Sequence, residues 1–153
     1  MAGYLDLGGF KSRTLMPATE VDALEKAAPG WLLQKLETVS RVDIDPKLRK
    51  RYDAPFDVVT CPEAVKAWLE QIVTELAYVR LGVDPNDMQF QSVSRIAERA
   101  HLAIAEAANA VDGLYDLPLR DSEKATGITK GAPRGYAEPG PYHWLDVQRE
   151  ALE

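Results

Sequence analysis

The side chains most able to support chemistry are few and widely spaced along the 153 residues of the chain. Asp43 and Asp45 are two positions apart, and two carboxylates could share a divalent cation. No third or fourth ligand follows at a recognisable spacing. We therefore interpret Asp45 as the cap of a helical turn begun by Pro46, interpret Asp43 as solvated, and expect neither a metal site nor a cofactor.

His101 and Cys61 are the remaining candidates for a catalytic group. A catalytic histidine needs an orienting partner and a nucleophile, and no serine or cysteine motif supplies them. Cys61 precedes Pro62 at a predicted helix start, which favours a thiolate, but no paired histidine accompanies it. We interpret His101 as partly buried or interfacial and Cys61 as a small packing or capping residue. The sequence contains no phosphate-binding glycine loop, HExxH, GxSxG or CxxC motif, so we do not expect an enzyme.

A short basic run consists of Lys47, Arg49, Lys50 and Arg51. Such a run could contact phosphates, stabilise a helix C-terminus, or pair with acidic residues of a neighbouring subunit. The whole chain has 18 Lys and Arg against 24 Asp and Glu, a net charge of −6, whereas a dedicated nucleic-acid binder would be basic. We therefore favour a solvated or subunit-pairing face over direct contact with nucleic acid.

The composition indicates a folded domain rather than a disordered chain, because 46% of the residues are hydrophobic. A single cysteine excludes an intramolecular disulfide. No apolar run approaches the length of a membrane span, and the N-terminus lacks the basic start and apolar run of a secretion signal. We therefore expect a reducing, cytosolic setting and no membrane partner.

Hydrophobic periodicity and helix-boundary residues predict four helices, so the expected fold is mainly α, a small helical bundle. They run from about Pro17 to Ala28, from Trp31 to near Tyr52 with a possible restart at Asp45-Pro46, from a Thr60/Glu63 capping box to Gly82, and from Asp84-Pro85 to Asp112-Gly113. The third helix has a single apolar stripe, and the alanine-rich stripe of the fourth allows close helix packing. Trp31 and Trp68 fall on apolar stripes and are predicted core residues.

The character of the chain changes after Gly113. Residues 113–153 contain five Gly and four Pro, and no apolar period survives between Asp116 and Tyr142. A lone large aromatic such as Trp144 in this setting is typical of an anchor in a partner groove. We therefore predict an N-terminal extended segment 1–16, a helical core 17–112, and a long extended C-terminal arm 113–153 that orders against another surface.

Three short segments occur in a specific order: Arg-Tyr-x-x-Pro-Phe at 51–56, Tyr-x-Arg-Leu-Gly at 78–82, and Gly-Leu-Tyr-x-Leu-Pro at 113–118. With the helices around them, they resemble the head–tail adaptor (connector) proteins of tailed phages, prophages and gene-transfer agents, over roughly residues 17–118. The resemblance implies a helical bundle that assembles into a ring, usually of twelve subunits, beneath the portal. The ring would extend the DNA channel and join head to tail in the virion neck, after assembly in the host cytoplasm.

The implied partners are other copies of the chain, the portal protein and stopper or tail-side neck proteins, with packaged DNA passing through the lumen without sequence-specific binding. The candidate interface with a neighbouring subunit or the portal comprises Lys47, Arg49, Lys50, Arg51, Tyr115, Tyr136, Tyr142 and Trp144. Two alternatives stay open. One is another neck component, a stopper or tail terminator, although these are mostly β-rich. The other is a small cytosolic helical regulator that binds nucleic acid or a partner protein through residues 47–51.

Overall fold

The computed structural model describes residues 3–109 and 117–120, and the protein is mainly helical over these residues, as predicted. The helices are α1 (Leu7–Arg13), α2 (Ala18–Ala27), α3 (Trp31–Val39), α4 (Asp45–Leu48), α5 (Glu63–Leu81) and α6 (Met88–Asn109). A π-helical turn, Ser40–Ile44, joins α3 to α4 without a break. The described part of the chain contains no strand, and its one isolated bridge pairs Tyr52 with Leu119. Apart from residues 117–120, the predicted arm lies outside the described residues.

Helix α5 is the centre of the bundle. It packs most extensively against α6 and also contacts α1, α3 and the π-helical turn. Val65, Leu69, Val73 and Ala77 are fully buried, because a spacing of four residues places them along one side of the helix. Gly82 ends α5 at a φ of 74°, a left-handed conformation that glycine adopts without strain. The apolar stripe and the glycine stop were both predicted.

Helix α6 presents the predicted alanine-rich face to the core, and its buried residues are Val93, Ala97, Ala100, Ile104 and Ala107. Its start is three residues later than the first helical position predicted after Asp84. The carboxylate of Asp87 accepts a hydrogen bond from the Gln89 N–H at 2.8 Å and therefore caps the helix. The Asp84 carboxylate instead accepts from the Asn86 N–H at 2.9 Å in a separate turn. The predicted end at Asp112-Gly113 lies outside the described residues.

The N-terminal segment corrects one prediction, since residues 7–13 are helical and not extended. The Asp6 carboxylate caps α1 by accepting from the Gly9 N–H at 2.7 Å, and Phe10 is fully buried. Gly8 and Gly9 have low helix propensity, which concealed this helix from a reading of local pattern. Because Tyr4 also belongs to the core, the core begins well before residue 17.

Two predicted helix boundaries also differ from the structure. The Thr60/Glu63 capping box is absent: the N-cap of α5 is Pro62, without a side-chain hydrogen bond. Glu63 instead pairs with the Arg13 guanidinium at 2.6 Å. The second predicted helix ends at Leu48 and not near Tyr52, and the Tyr52 N–H donates to the Leu48 carbonyl at 2.8 Å in the turn that follows.

Candidate functional site

The short segment 117–120 pairs with residues 51–53, at the end of the basic run. The Arg120 N–H donates to the Arg51 carbonyl at 3.0 Å, and the Asp53 N–H donates to the Pro118 carbonyl at 2.9 Å. These bonds flank the antiparallel bridge between Tyr52 and Leu119. The Arg120 guanidinium also donates to the Arg49 carbonyl at 3.2 Å. The fold therefore adds a fifth cation to the basic run, and we call Lys47, Arg49, Lys50, Arg51 and Arg120 the basic corner.

Two buried side chains hold the basic corner against the core. Leu48 and Tyr52 are fully buried, and the Tyr52 hydroxyl donates to the Ala107 carbonyl of α6 at 3.1 Å. Arg49 and Lys50, which lie between them in sequence, are exposed, while Arg51 is half-buried with its guanidinium 5.9 Å from the centre of the Tyr52 ring. The two anchors, four residues apart, therefore leave the exposed cations between them on the solvent side of this turn.

A cleft of about 350 Å³ adjoins the basic corner and shares Arg49 with it. One wall comes from the π-helical turn and α4, and the other comes from residues 55–58. We call it the Asp45 cleft, and its lining comprises Tyr4, Ser40, Arg41, Asp45, Arg49, Pro55, Phe56, Asp57 and Val58.

Asp45 is a buried hydrogen-bond acceptor within α4, which corrects the prediction that it caps the turn begun by Pro46, since Ile44 occupies the N-cap position. Only 5% of the residue is exposed, and its Oδ1 atom accepts a hydrogen bond from the Tyr4 hydroxyl. The Tyr4 oxygen in turn accepts from the Phe56 N–H at 3.0 Å. Burial raises the pKa of the Asp45 carboxyl, against the opposing effects of the Tyr4 hydrogen bond and of Arg49 and Arg41. Burial likewise raises the pKa of Tyr4, so the hydroxyl keeps the proton that it donates.

The two walls of the Asp45 cleft differ in chemistry. Arg41, Asp45 and Arg49 follow one another at intervals of four residues, which places them on one side of the helical wall. Both arginines are exposed, and Arg41 forms a long ion pair with Glu37 at 3.5 Å. The facing wall is mainly apolar, with Phe56 buried and Val58 42% exposed. The cleft can therefore hold a group that combines an apolar side chain with a carboxylate.

The π-helical turn is a second reason to regard this cleft as a functional site. It supplies Ser40 and Arg41 to the lining, and Ser40 is buried with its hydroxyl donating to the Leu36 carbonyl at 2.7 Å. π-helical turns are rare and are frequent at functional sites, since they displace side chains from ordinary helical positions.

The other residues that we weighed for chemistry are separate from this cleft. Cys61 is buried, as expected of a packing residue, and burial raises the pKa of its thiol to about 12. His101 is half-buried on α6, which confirms the prediction of partial burial. Among residues 3–109 and 117–120, no three His, Cys, Asp or Glu side chains are grouped so that they could hold a metal ion.

A second buried carboxylate, Glu70, connects the loop between α1 and α2 to α5. The Thr74 hydroxyl lies 3.1 Å from the Glu70 Oε1 atom and 2.8 Å from the Thr14 hydroxyl. The Leu15 backbone also hydrogen-bonds to the Glu70 carboxyl, but burial is the larger effect and raises the pKa of this group. These partners all belong to the chain itself, so the network fastens one segment to another.

Half of the residues predicted to form the interface lie among the described residues. Lys47, Arg49, Lys50 and Arg51 lie in α4 and the turn that follows it, whereas Tyr115, Tyr136, Tyr142 and Trp144 lie outside the described residues. Sequence reasoning missed Tyr4, Arg41 and Arg120. The spacing of Arg41, Asp45 and Arg49 could have revealed a charged helix face, but nothing local marks Tyr4 or Arg120 as their neighbours.

The comparisons with known proteins add no relative. No protein-family model matches the sequence, and neither a curated protein nor a solved structure is significantly similar to it. None of the helices described here combines the length and apolar character needed to cross a membrane.

Proposed function

We propose that the protein is a non-catalytic structural subunit of a virion neck, a head–tail adaptor that forms a ring below the portal. The proposal starts from the three segments whose order resembles the adaptor family. One structural observation supports it: the Asp53 N–H of the first segment donates to the Pro118 carbonyl of the third at 2.9 Å. Segments that are more than fifty residues apart in sequence thus form one surface.

The charge distribution is compatible with an adaptor role. The chain has a net charge of −6, yet five cations gather at the basic corner. In a closed ring, every subunit must present faces that fit its neighbours. We infer that the basic corner docks on an acidic surface of the portal or of another subunit. Acidic surfaces elsewhere would face the lumen and repel the phosphates of DNA in transit.

The decisive experiment measures the copy number of the protein in purified tailed particles, relative to the portal protein, by quantitative mass spectrometry. We expect a ratio near one, consistent with a ring of about twelve subunits matched to the portal, and loss of the protein from fractions that contain tails only. A protein that stays in the lysate and is absent from particles would overturn the adaptor role.

A charge-reversal pair tests which surface docks. Arg49→Glu with Lys50→Glu should lower incorporation into particles while leaving the far-ultraviolet circular dichroism spectrum unchanged, since both side chains are exposed. The matched control is Lys26→Glu with Arg99→Glu, which changes the charge equally at exposed positions on α2 and α6, outside the three segments. Equal incorporation of the two variants would exclude the basic corner as the docking surface.

The five clustered cations also favour a second candidate function, a helical regulator that binds nucleic acid. In that case binding to duplex DNA should weaken steeply with salt, with a log–log slope of about −0.9 for each phosphate contacted. The Arg49→Glu/Lys50→Glu variant should lose this binding, and removal of residues 121–153 should leave it intact. Salt-dependent binding together with absence from particles would replace the adaptor by the regulator.

A further inference from the structure

The Asp45 cleft selects for a particular kind of occupant. Phe56 and Val58 offer apolar contact on one wall, and Arg41 and Arg49 offer two cations on the other. The one carboxylate deep in the cleft, on Asp45, already accepts from the Tyr4 hydroxyl. The second carboxylate, on Asp57, is exposed at the apolar wall. A peptide that carries a large apolar side chain next to an acidic residue fits both walls.

The chain itself carries such a peptide beyond the described residues. Residues 121–153 contain a single tryptophan, Trp144, followed directly by Leu145 and Asp146. Arg149, Glu150 and Glu153 follow, so residues 144–153 have three acidic residues against one basic residue, and their net charge is opposite to that of the two arginines of the cleft.

The described chain also ends beside the cleft. The Arg120 guanidinium donates to the carbonyl of Arg49, a cleft residue, at 3.2 Å. More than twenty residues separate Arg120 from Trp144, and an extended chain spans about 3.3 Å per residue. The connection is therefore long enough to bring Trp144 back to the cleft of the same subunit. A tether of this kind gives an effective concentration in the millimolar range, which favours binding within one chain over capture of a free partner.

From these observations we propose that the Asp45 cleft binds residues Trp144–Asp146 of the same chain. The indole packs against Phe56 and Val58, and the Asp146 carboxylate pairs with Arg41 and Arg49. Asp57 is placed at the apolar wall, where it can accept a hydrogen bond from the indole N–H. The inference concerns the free subunit and does not depend on the adaptor role.

Disulfide trapping in the full-length protein tests this contact. In a Cys61→Ser background, Val58→Cys and Leu145→Cys place one thiol in the cleft and one in the proposed peptide. We expect dilute oxidised glutathione, which is reduced as the two thiols are oxidised, to form an intramolecular disulfide at least about tenfold faster than in the control pair Val79→Cys and Leu145→Cys. Val79 is 57% exposed but does not line the cleft, so the control keeps the same tether with a different target. Non-reducing mass spectrometry measures both rates, and thermal unfolding checks that each variant is folded.

Variants that remove charge test the proposed ion pairs between Asp146 and the two arginines. Arg41→Gln with Arg49→Gln, or Asp146→Asn alone, should slow trapping at Val58→Cys and leave the Val79→Cys control unchanged. Equal rates for the two cysteine pairs would overturn the proposal. Disulfides that form only between isotopically distinguishable chains would also overturn it, because they would show that the cleft takes the segment from a second copy. Since no particle or portal is involved, the result stands whether or not the adaptor role is correct.

Discussion

The α5–α6 pair and the Asp45 cleft represent two different ways of holding a structure together. Helices α5 and α6 are consecutive in sequence and bury apolar and alanine side chains over most of their length. The cleft instead depends on single hydrogen bonds between residues far apart, with Tyr4 bonded to Asp45 across 41 positions and to Phe56 across 52. Closing such long loops has a higher entropic cost than joining adjacent helices. We infer that the helix pair supplies the global stability and that the cleft opens locally at lower free energy.

The largest effect in this comparison should come from the helix pair. Leu69 is fully buried on α5, and Leu69→Ala removes its contacts and leaves a cavity. We expect the free energy of unfolding to fall by about 2–5 kcal/mol in urea denaturation. The matched control is Val79→Ala on the same helix, which is 57% exposed and should change stability by less than about 0.5 kcal/mol. Similar losses for both variants would contradict a core centred on α5.

An intermediate effect is expected from Tyr4→Phe, which removes the hydroxyl shared by Asp45 and the Phe56 N–H. Leaving buried polar groups without this partner should cost about 1–3 kcal/mol. If the cleft opens locally, hydrogen exchange of the Phe56 amide should accelerate much more than exchange of the α5 amides. A uniform acceleration of exchange across both regions would contradict the inference that the cleft opens while the helix pair stays closed.

The smallest expected effect is a change of slope with pH. Burial raises the pKa of Glu70, so the folded state binds this proton more tightly than the unfolded chain does. The contribution of Glu70 to stability is therefore full below its unfolded pKa, about 4.3, and is lost as the pH rises through the folded pKa. Glu70→Gln should remove this decline. The pKa of Glu63 is lowered, chiefly by the Arg13 hydrogen bond, so Glu63 contributes stability that is gained as the pH rises. Glu63→Gln should remove this gain. Urea midpoints measured from pH 4 to pH 8 would contradict the assignment if Glu70→Gln left the slope unchanged.

The same contrast explains what could be predicted from the sequence. The end of α5 at Gly82 and the buried face of α6 follow from one stop residue and from local periodicity, so both were predicted correctly. Helix α1 was missed because its evidence is not local: Gly8 and Gly9 weaken the pattern, and Phe10 matters only through burial against the rest of the bundle. The same holds for the cleft, where the role of Asp45 depends on Tyr4, and for the basic corner, where Arg120 joins from 71 residues away.

The π-helical turn Ser40–Ile44 makes the cleft sensitive to chain length. A π-helical turn holds one residue more than an α-helical turn, because its hydrogen bonds run from residue i to residue i+5. Deleting one residue from it should therefore give a regular α-turn and rotate α4 by much less than the roughly 100° by which one residue advances a regular helix. Asp45 and Arg49 would keep their side of the helical wall, whereas Ser40 and Arg41, which line the cleft from within the turn, would lose their displaced positions. A homologue that is one residue shorter at this point would thus keep the bundle and change the lining of the cleft.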